Sequence, residues 1–134
     1  MRTVFYYLAL ACLFTHELDA VAHSEWRLLF VLQRLPDATA LPWFVVLHVP
    51  LFFGILYLSQ HRRTSLRKAT RLVVATFCVV HAALHLALAS NPKNEFHGSL
   101  SHALFLSAAA FGAAFLIGEL LRHRSTSRSD AAGG

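Results

Sequence analysis

The sequence predicts an all-α membrane protein: an antiparallel four-helix transmembrane bundle with both termini cytoplasmic. Three observations carry this reading. The 134 residues are 56% hydrophobic and only 14% charged, with a mean hydropathy of +0.51, too apolar for an ordinary soluble domain. Four apolar segments each approach the ~20 residues that a helix needs to cross ~30 Å of hydrocarbon. No segment alternates with period two, as the strands of a membrane barrel would.

The first span is read at about residues 3–26. The second, 41–59, is "LPWFVVLHVPLFFGILYLS". The third, 70–90, is "TRLVVATFCVVHAALHLALAS", and the fourth, 98–121, is "GSLSHALFLSAAAFGAAFLIGELL". Residues 1–122 thus form one transmembrane domain, and residues 123–134 read as a disordered basic cytoplasmic tail. An alternative reads Arg2, the short apolar run and "AVA" before His23 as a signal peptide; a mature chain starting at His23 would lack the first helix.

Charge sets the orientation. The formal net charge is +5, which in a soluble protein would suggest nucleic acid. Here the cations fall in two clusters beside apolar segments, so no nucleic-acid partner is expected. "QHRRTSLRKATR" holds Arg62, Arg63, Arg67, Lys68 and Arg71, and the tail holds Arg122, Arg124 and Arg128. Both clusters belong on the cytoplasmic side, with Arg2. Trp26 and Trp43 then flank the first outer loop, and Tyr6, Tyr7 and Tyr57 fall near the inner boundary, as aromatic belts require. The expected location is the bacterial inner membrane, as a multi-pass protein in contact with lipid.

Polar residues inside the spans carry the functional signal. At ~100° per residue, Cys12, His16, Asp19 and His23 fall within ~60° of one another on the first helix. Cys78, His81 and His85 share a face of the third. His48 stands on the second helix and His102 on the fourth. At 1.5 Å per residue, His48, His85 and His102 lie ~6 to 11 Å below the outer surface, and Asp19, His16 and His81 ~10 to 15 Å below it. All four helices therefore contribute to one polar layer in the outer half of the membrane. An ionised carboxylate in hydrocarbon requires a partner, and imidazoles, a metal ion or water can supply one.

The pair in "HAALH" suits a shared metal ion. The expected ligands are His16, Asp19, His81, His85 and His102, with zinc or iron as the divalent metal. Glu17 points away from His16 and is expected to handle protons together with His48, or to pair with His48 or His102 across a helix interface. "HELDA" is not a metalloprotease HExxH, because Ala20 stands in place of the second histidine. Glu25 and Arg27 read as interfacial side chains. Glu119 reads as an interfacial ion pair with Arg122 or Arg124. Cys12 and Cys78 read as small packing residues. In "SAAAFGAAFLIG", Ala108 and Gly112 permit close helix approach.

With "HELDA", "HAALH" and "HGSLSH", the chain resembles small bacterial integral membrane proteins of unknown function. One such group is named for an HxxEE motif in its first span, followed by histidine motifs in later spans. His16 and Asp19 match the first histidine and first acid, and Ala20 replaces the second acid. The resemblance implies a membrane location and a polar intramembrane site, and no reaction.

Three functions follow as expectations. The first is a metal-binding protein acting on a lipid-like substrate. The second is a b-type haem or quinone electron carrier with histidines as axial ligands. The third is a proton or metal permeation subunit or an accessory subunit, as a homodimer or in a larger membrane complex.

Overall fold

A computed structural model describes residues 2–132, with side chains described through residue 125. The elements run α1 (Arg2–Ala22), two short 3₁₀ turns (Glu25–Arg27 and Leu32–Arg34), α2 (Asp37–Ser59), α3 (Thr64–Ala87) and α4 (Ser99–Ala132). The described residues contain four helices, all long and apolar enough to cross a membrane. This is the composition of a small membrane protein.

The helices differ from the expected spans at their ends, for local reasons. Hydropathy marks where hydrocarbon begins, whereas hydrogen bonding decides where a helix begins. α2 starts at Asp37 because Pro36, with φ −58° and ψ 145°, sets an extended entry just before it. α3 starts at Thr64, taking in the polar turn "TSLRKA" ahead of the apolar run. α1 stops at Ala22 rather than at Trp26, because Ser24 turns left-handed with φ 54°. The backbone of α4 stays helical to Ala132, into the segment expected to form a tail. Residues 119–132 hold neither Gly nor Pro to stop it.

α1, α3 and α4 make the core, and α2 lies against its outside. The buried stripe of α1 runs Ala9, Leu13, His16 and Ala20, with 4-3-4 spacing; that of α3 includes Ala75, Cys78, Ala82 and His85. Both stripes are rich in small residues. Ala9, Leu13, Cys78 and Ala108 form one packed cluster, and Tyr6, Leu10, Val74, Ala75 and Phe115 another. Close packing matters here because lipid tails are as apolar as the core, so helix association cannot rest on the hydrophobic effect. The outer face of α2 presents Val45, Val49, Phe53 and Leu56 to the surroundings, as a lipid-facing helix should.

Polar bonds tie the ends of the bundle. Tyr6 shares a hydrogen bond with Ser59, joining the start of α1 to the end of α2. Arg71 on α3 donates to the Ser59 carbonyl at 3.0 Å. Arg2 pairs with Glu119 at 2.9 Å, so the first residue of α1 lies beside the far part of α4. The expected partner of Glu119 was an arginine of its own helix; the antiparallel packing supplies Arg2 as well. At the other end, Arg27 clamps Asp37 and Glu95, each at 2.6 Å, and Trp26 donates to Asp37 at 2.9 Å.

Gly112 lets α3 and α4 approach closely. A Cβ there would stand 2.8 Å from the Ala75 carbonyl oxygen and 3.3 Å from the Cys78 Cβ. Gly54 on α2 has nothing within 4 Å of the same position. Gly112→Ala is therefore expected to destabilise the protein by about 1–3 kcal/mol, as overpacking does. Gly54→Ala is expected to leave it unchanged or stabilise it by up to about 1 kcal/mol, as helix propensity favours alanine. Thermal unfolding of both variants in detergent checks the contrast.

Candidate metal centre

α1 and α3 run side by side, so their polar stripes meet. His16 Nε2 lies 3.1 Å from His85 Nε2, which lies 3.1 Å from His81 Nε2. A ring nitrogen carries one proton or one in-plane lone pair. His85 Nε2 can therefore make one linear hydrogen bond, and it faces two nitrogens. Hydrogen bonding alone does not satisfy this triangle.

The fourth group is Glu25. Its carboxylate oxygens stand 3.7 Å from His16 Nε2 and 3.7 Å from His85 Nε2. His16, Glu25, His81 and His85 each offer one ligand atom, and these atoms all lie within 4.8 Å of one another. Bonds of ~2.0–2.2 Å at tetrahedral angles place donor atoms ~3.3–3.5 Å apart. The observed spacings bracket that value, so the group can hold a metal ion.

Burial sharpens the case. His16 is 0% exposed and Glu25 6%. His16 Nδ1, Asp19 Oδ2 and Glu25 Oε2 are buried without a hydrogen-bond partner among the described residues. Such atoms are rare in folded proteins, and a bound ion is one standard remedy. Burial pushes the Glu25 carboxyl up to about 8, and the nearby charges of Glu17 and Asp19 add to the shift. A cation bound beside Glu25 would offset this cost, because it favours the ionised carboxylate. Phe96 and Phe105 wall the site: the His85 ring lies 4.6 Å from Phe96 and stacks on Phe105 at 5.0 Å, centroid to centroid.

Glu25 reaches the site through a backbone reversal. α1 ends as His23 N–H donates to the Asp19 carbonyl, and Ser24 then takes the left-handed conformation, which costs a non-glycine residue about 1–2 kcal/mol. The turn Glu25–Arg27 folds back over the end of α1. Glu25 was expected at the interface beside Arg27; instead it is buried, while Arg27 pairs with Asp37 and Glu95. The residues around it carry no periodic signal, because they lie outside any helix. Only the concentration of acids and imidazoles in "HELDAVAHSE" pointed here.

The other site residues fall as follows. Asp19, expected as a ligand, stands 3.2 Å from His23 Nδ1 and is not in the four-residue group. His102 is not in it either; its Nδ1–H donates to the Gly98 carbonyl at 2.9 Å, within its own helix. Glu17 and His48 meet each other, Oε2 to Nε2 at 2.9 Å, across the α1–α2 interface. Beside them Phe14 and Phe52 stack at 4.0 Å. His48 Nδ1–H donates to the Phe44 carbonyl at 2.6 Å, which fixes the tautomer. With Nδ1 protonated, Nε2 either accepts from a protonated Glu17 or, as an imidazolium, donates to its carboxylate.

A model of a family of unknown function, DUF6713, matches residues 2–122. The chain belongs to that family. DUF6713 thus spans all four helices as far as the first turns beyond Glu119, and it includes every residue of the histidine cluster. No curated protein and no solved structure matches the chain. A family of unknown function is what the sequence resemblance implied.

The Glu25 shift has a signed consequence. The folded, metal-free protein keeps a proton that the unfolded chain loses above the ordinary value of 4.5. That stabilisation is complete below 4.5 and is lost as pH rises through about 8. Between pH 7 and 9, chelator-treated protein should lose about 1 kcal/mol of stability on this account. Glu25→Gln should abolish that part of the pH dependence, as read from thermal midpoints in detergent.

Proposed function

We propose that this chain is a membrane metalloprotein whose one divalent transition metal is held by His16, His81, His85 and Glu25. The observation that carries the reading is the meeting of three imidazole nitrogens at hydrogen-bond distances that hydrogen bonds cannot all satisfy, closed by a buried carboxylate. Three imidazoles and a carboxylate suit zinc or iron. We extend the reading to a reaction at the outer half of the bilayer, on a lipid-like substrate that enters between helices.

A metal in this site supplies Lewis acidity to a substrate oxygen or a water. The chain's own residues do the rest. Phe96 and Phe105 exclude bulk water from the imidazoles. Asp19 lies near Glu25, where its carboxylate would favour a bound cation. Glu17 and His48 form a proton donor and acceptor pair of fixed tautomer, placed to pass a proton between the site and the α1–α2 interface. In this reading His102 serves helix α4, and Asp19 supports the ligands without being one.

The haem reading finds less support. Two axial nitrogens on one iron stand ~4 Å apart on opposite faces of a macrocycle. The nitrogens here approach to 3.1 Å and share one side.

Elemental analysis of detergent-purified protein tests the proposal. About one zinc or iron per chain is expected. His85→Ala should lose the metal, because its nitrogen is common to both short contacts, while Glu25→Gln should weaken binding at least tenfold. His102→Ala should retain full occupancy. Equal metal content in the wild type and the His85→Ala variant would sink the assignment.

A further inference from the structure

The end of the bundle opposite the histidines carries a second site. We propose that a basic cleft between α1, α3 and α4 binds the phosphate of an anionic phospholipid. The cleft encloses about 730 Å³, within the range of small-molecule sites. Arg2, Arg67, Lys68, Arg71, Arg122 and His123 line it, with Glu119 as the one acid. Arg2 already neutralises Glu119 at 2.9 Å. Arg67, Lys68 and Arg71 add further positive charge to the lining.

Two guanidiniums are oriented without using a carboxylate. Arg71 is anchored by the Ser59 carbonyl at 3.0 Å and by the Tyr7 hydroxyl at 3.3 Å, and it lies over the Tyr6 and Tyr7 rings at 5.3 and 5.6 Å. Arg67 donates to the His61 carbonyl at 3.1 Å and to Thr64 at 3.4 Å. These bonds go to neutral acceptors, so among the described residues no carboxylate pairs with either guanidinium and both charges are held in place. Lys68 is exposed and makes no ion pair among the described residues. A cluster that served only to fix topology would have no need of such anchoring.

The rest of the lining chooses the ligand. Leu72, Phe115, Leu116 and Leu120 give the cleft an apolar wall. Leu72 and Leu120 are also exposed on the outside of the bundle, where acyl chains lie. A headgroup phosphate can meet the cations while its chains run along that wall. Basic pockets between transmembrane helices bind anionic headgroups in this manner. Free phosphate would use the cations and leave the apolar wall idle. This site shares no residue with the histidine cluster, so its fate is independent of the metal.

The test uses the full chain in a neutral detergent, with binding followed by native mass spectrometry or thermal shift. The probes are dioctanoyl phosphatidylglycerol, dioctanoyl phosphatidylcholine and inorganic phosphate. Phosphatidylglycerol is expected to bind at least tenfold more tightly than either of the others and to weaken as salt rises. Lys68→Glu should reduce its binding at least tenfold, and Lys93→Glu, an equal charge change at the far end, should not. Lys68 is exposed, so its replacement leaves the fold intact. Equal binding of phosphatidylcholine, equal binding of inorganic phosphate, or undiminished phosphatidylglycerol binding by Lys68→Glu would each overturn the proposal.

Discussion

One contact between helices governs one half of this protein: the meeting of His16 on α1 with His81 and His85 on α3. Imidazoles in an apolar bundle must find partners, and these find one another and Glu25. The helix faces that carry them are fixed by it. Any rotation of α1 that pointed His16 to lipid would also expose Leu13 and Ala20 and break the packed stripe. Polar convergence and small-residue packing therefore demand the same register, and neither could be changed alone.

At the other end the bundle solves the same problem by different chemistry. Tyr6, Ser59 and Arg71 link three helices through neutral and singly charged groups, and Arg2 reaches Glu119 across a fourth. Tyr6 and Ser59 are buried, whereas Arg2 and Arg71 are half-buried. The histidine cluster with Glu25 thus lies at one end of the bundle and the cluster Arg67, Lys68 and Arg71 at the other. The asymmetry follows from the sequence, because "HELDA" and "HAALH" close their helices whereas "RRTSLRK" opens one.

Much of this was legible in the residues. Four spans follow from composition, and their alternation follows from the basic loops. The pairing of Glu17 with His48 was one of the alternatives that helix geometry allowed. His16, His81 and His85 were legible because helical spacing and depth bring them to one height. Glu25 was not, because its position depends on the left-handed turn at Ser24, and serine does not advertise that conformation as glycine or asparagine would. Asp19 was taken for a ligand on the correct ground that it shares a face with His16. The competing attraction of His23, one turn along the same helix, could be weighed only with both side chains in place. His102 lay at the right depth, and its bond to the carbonyl four residues back claimed one nitrogen. The length of α4 was missed because hydropathy ends where the polar residues begin, while the helix does not.

The separation of the site's contributors along the chain bears on how the protein is made. A ribosome delivers α1 with His16, Glu17 and Asp19 about sixty residues before the histidines of α3 emerge. Each of those groups opposes entry into lipid on its own. The imidazoles that meet His16 thus reach α1 only after two further helices have been made. The polar site therefore cannot close until late in synthesis, and until then the groups of α1 lack the partners that the finished bundle gives them.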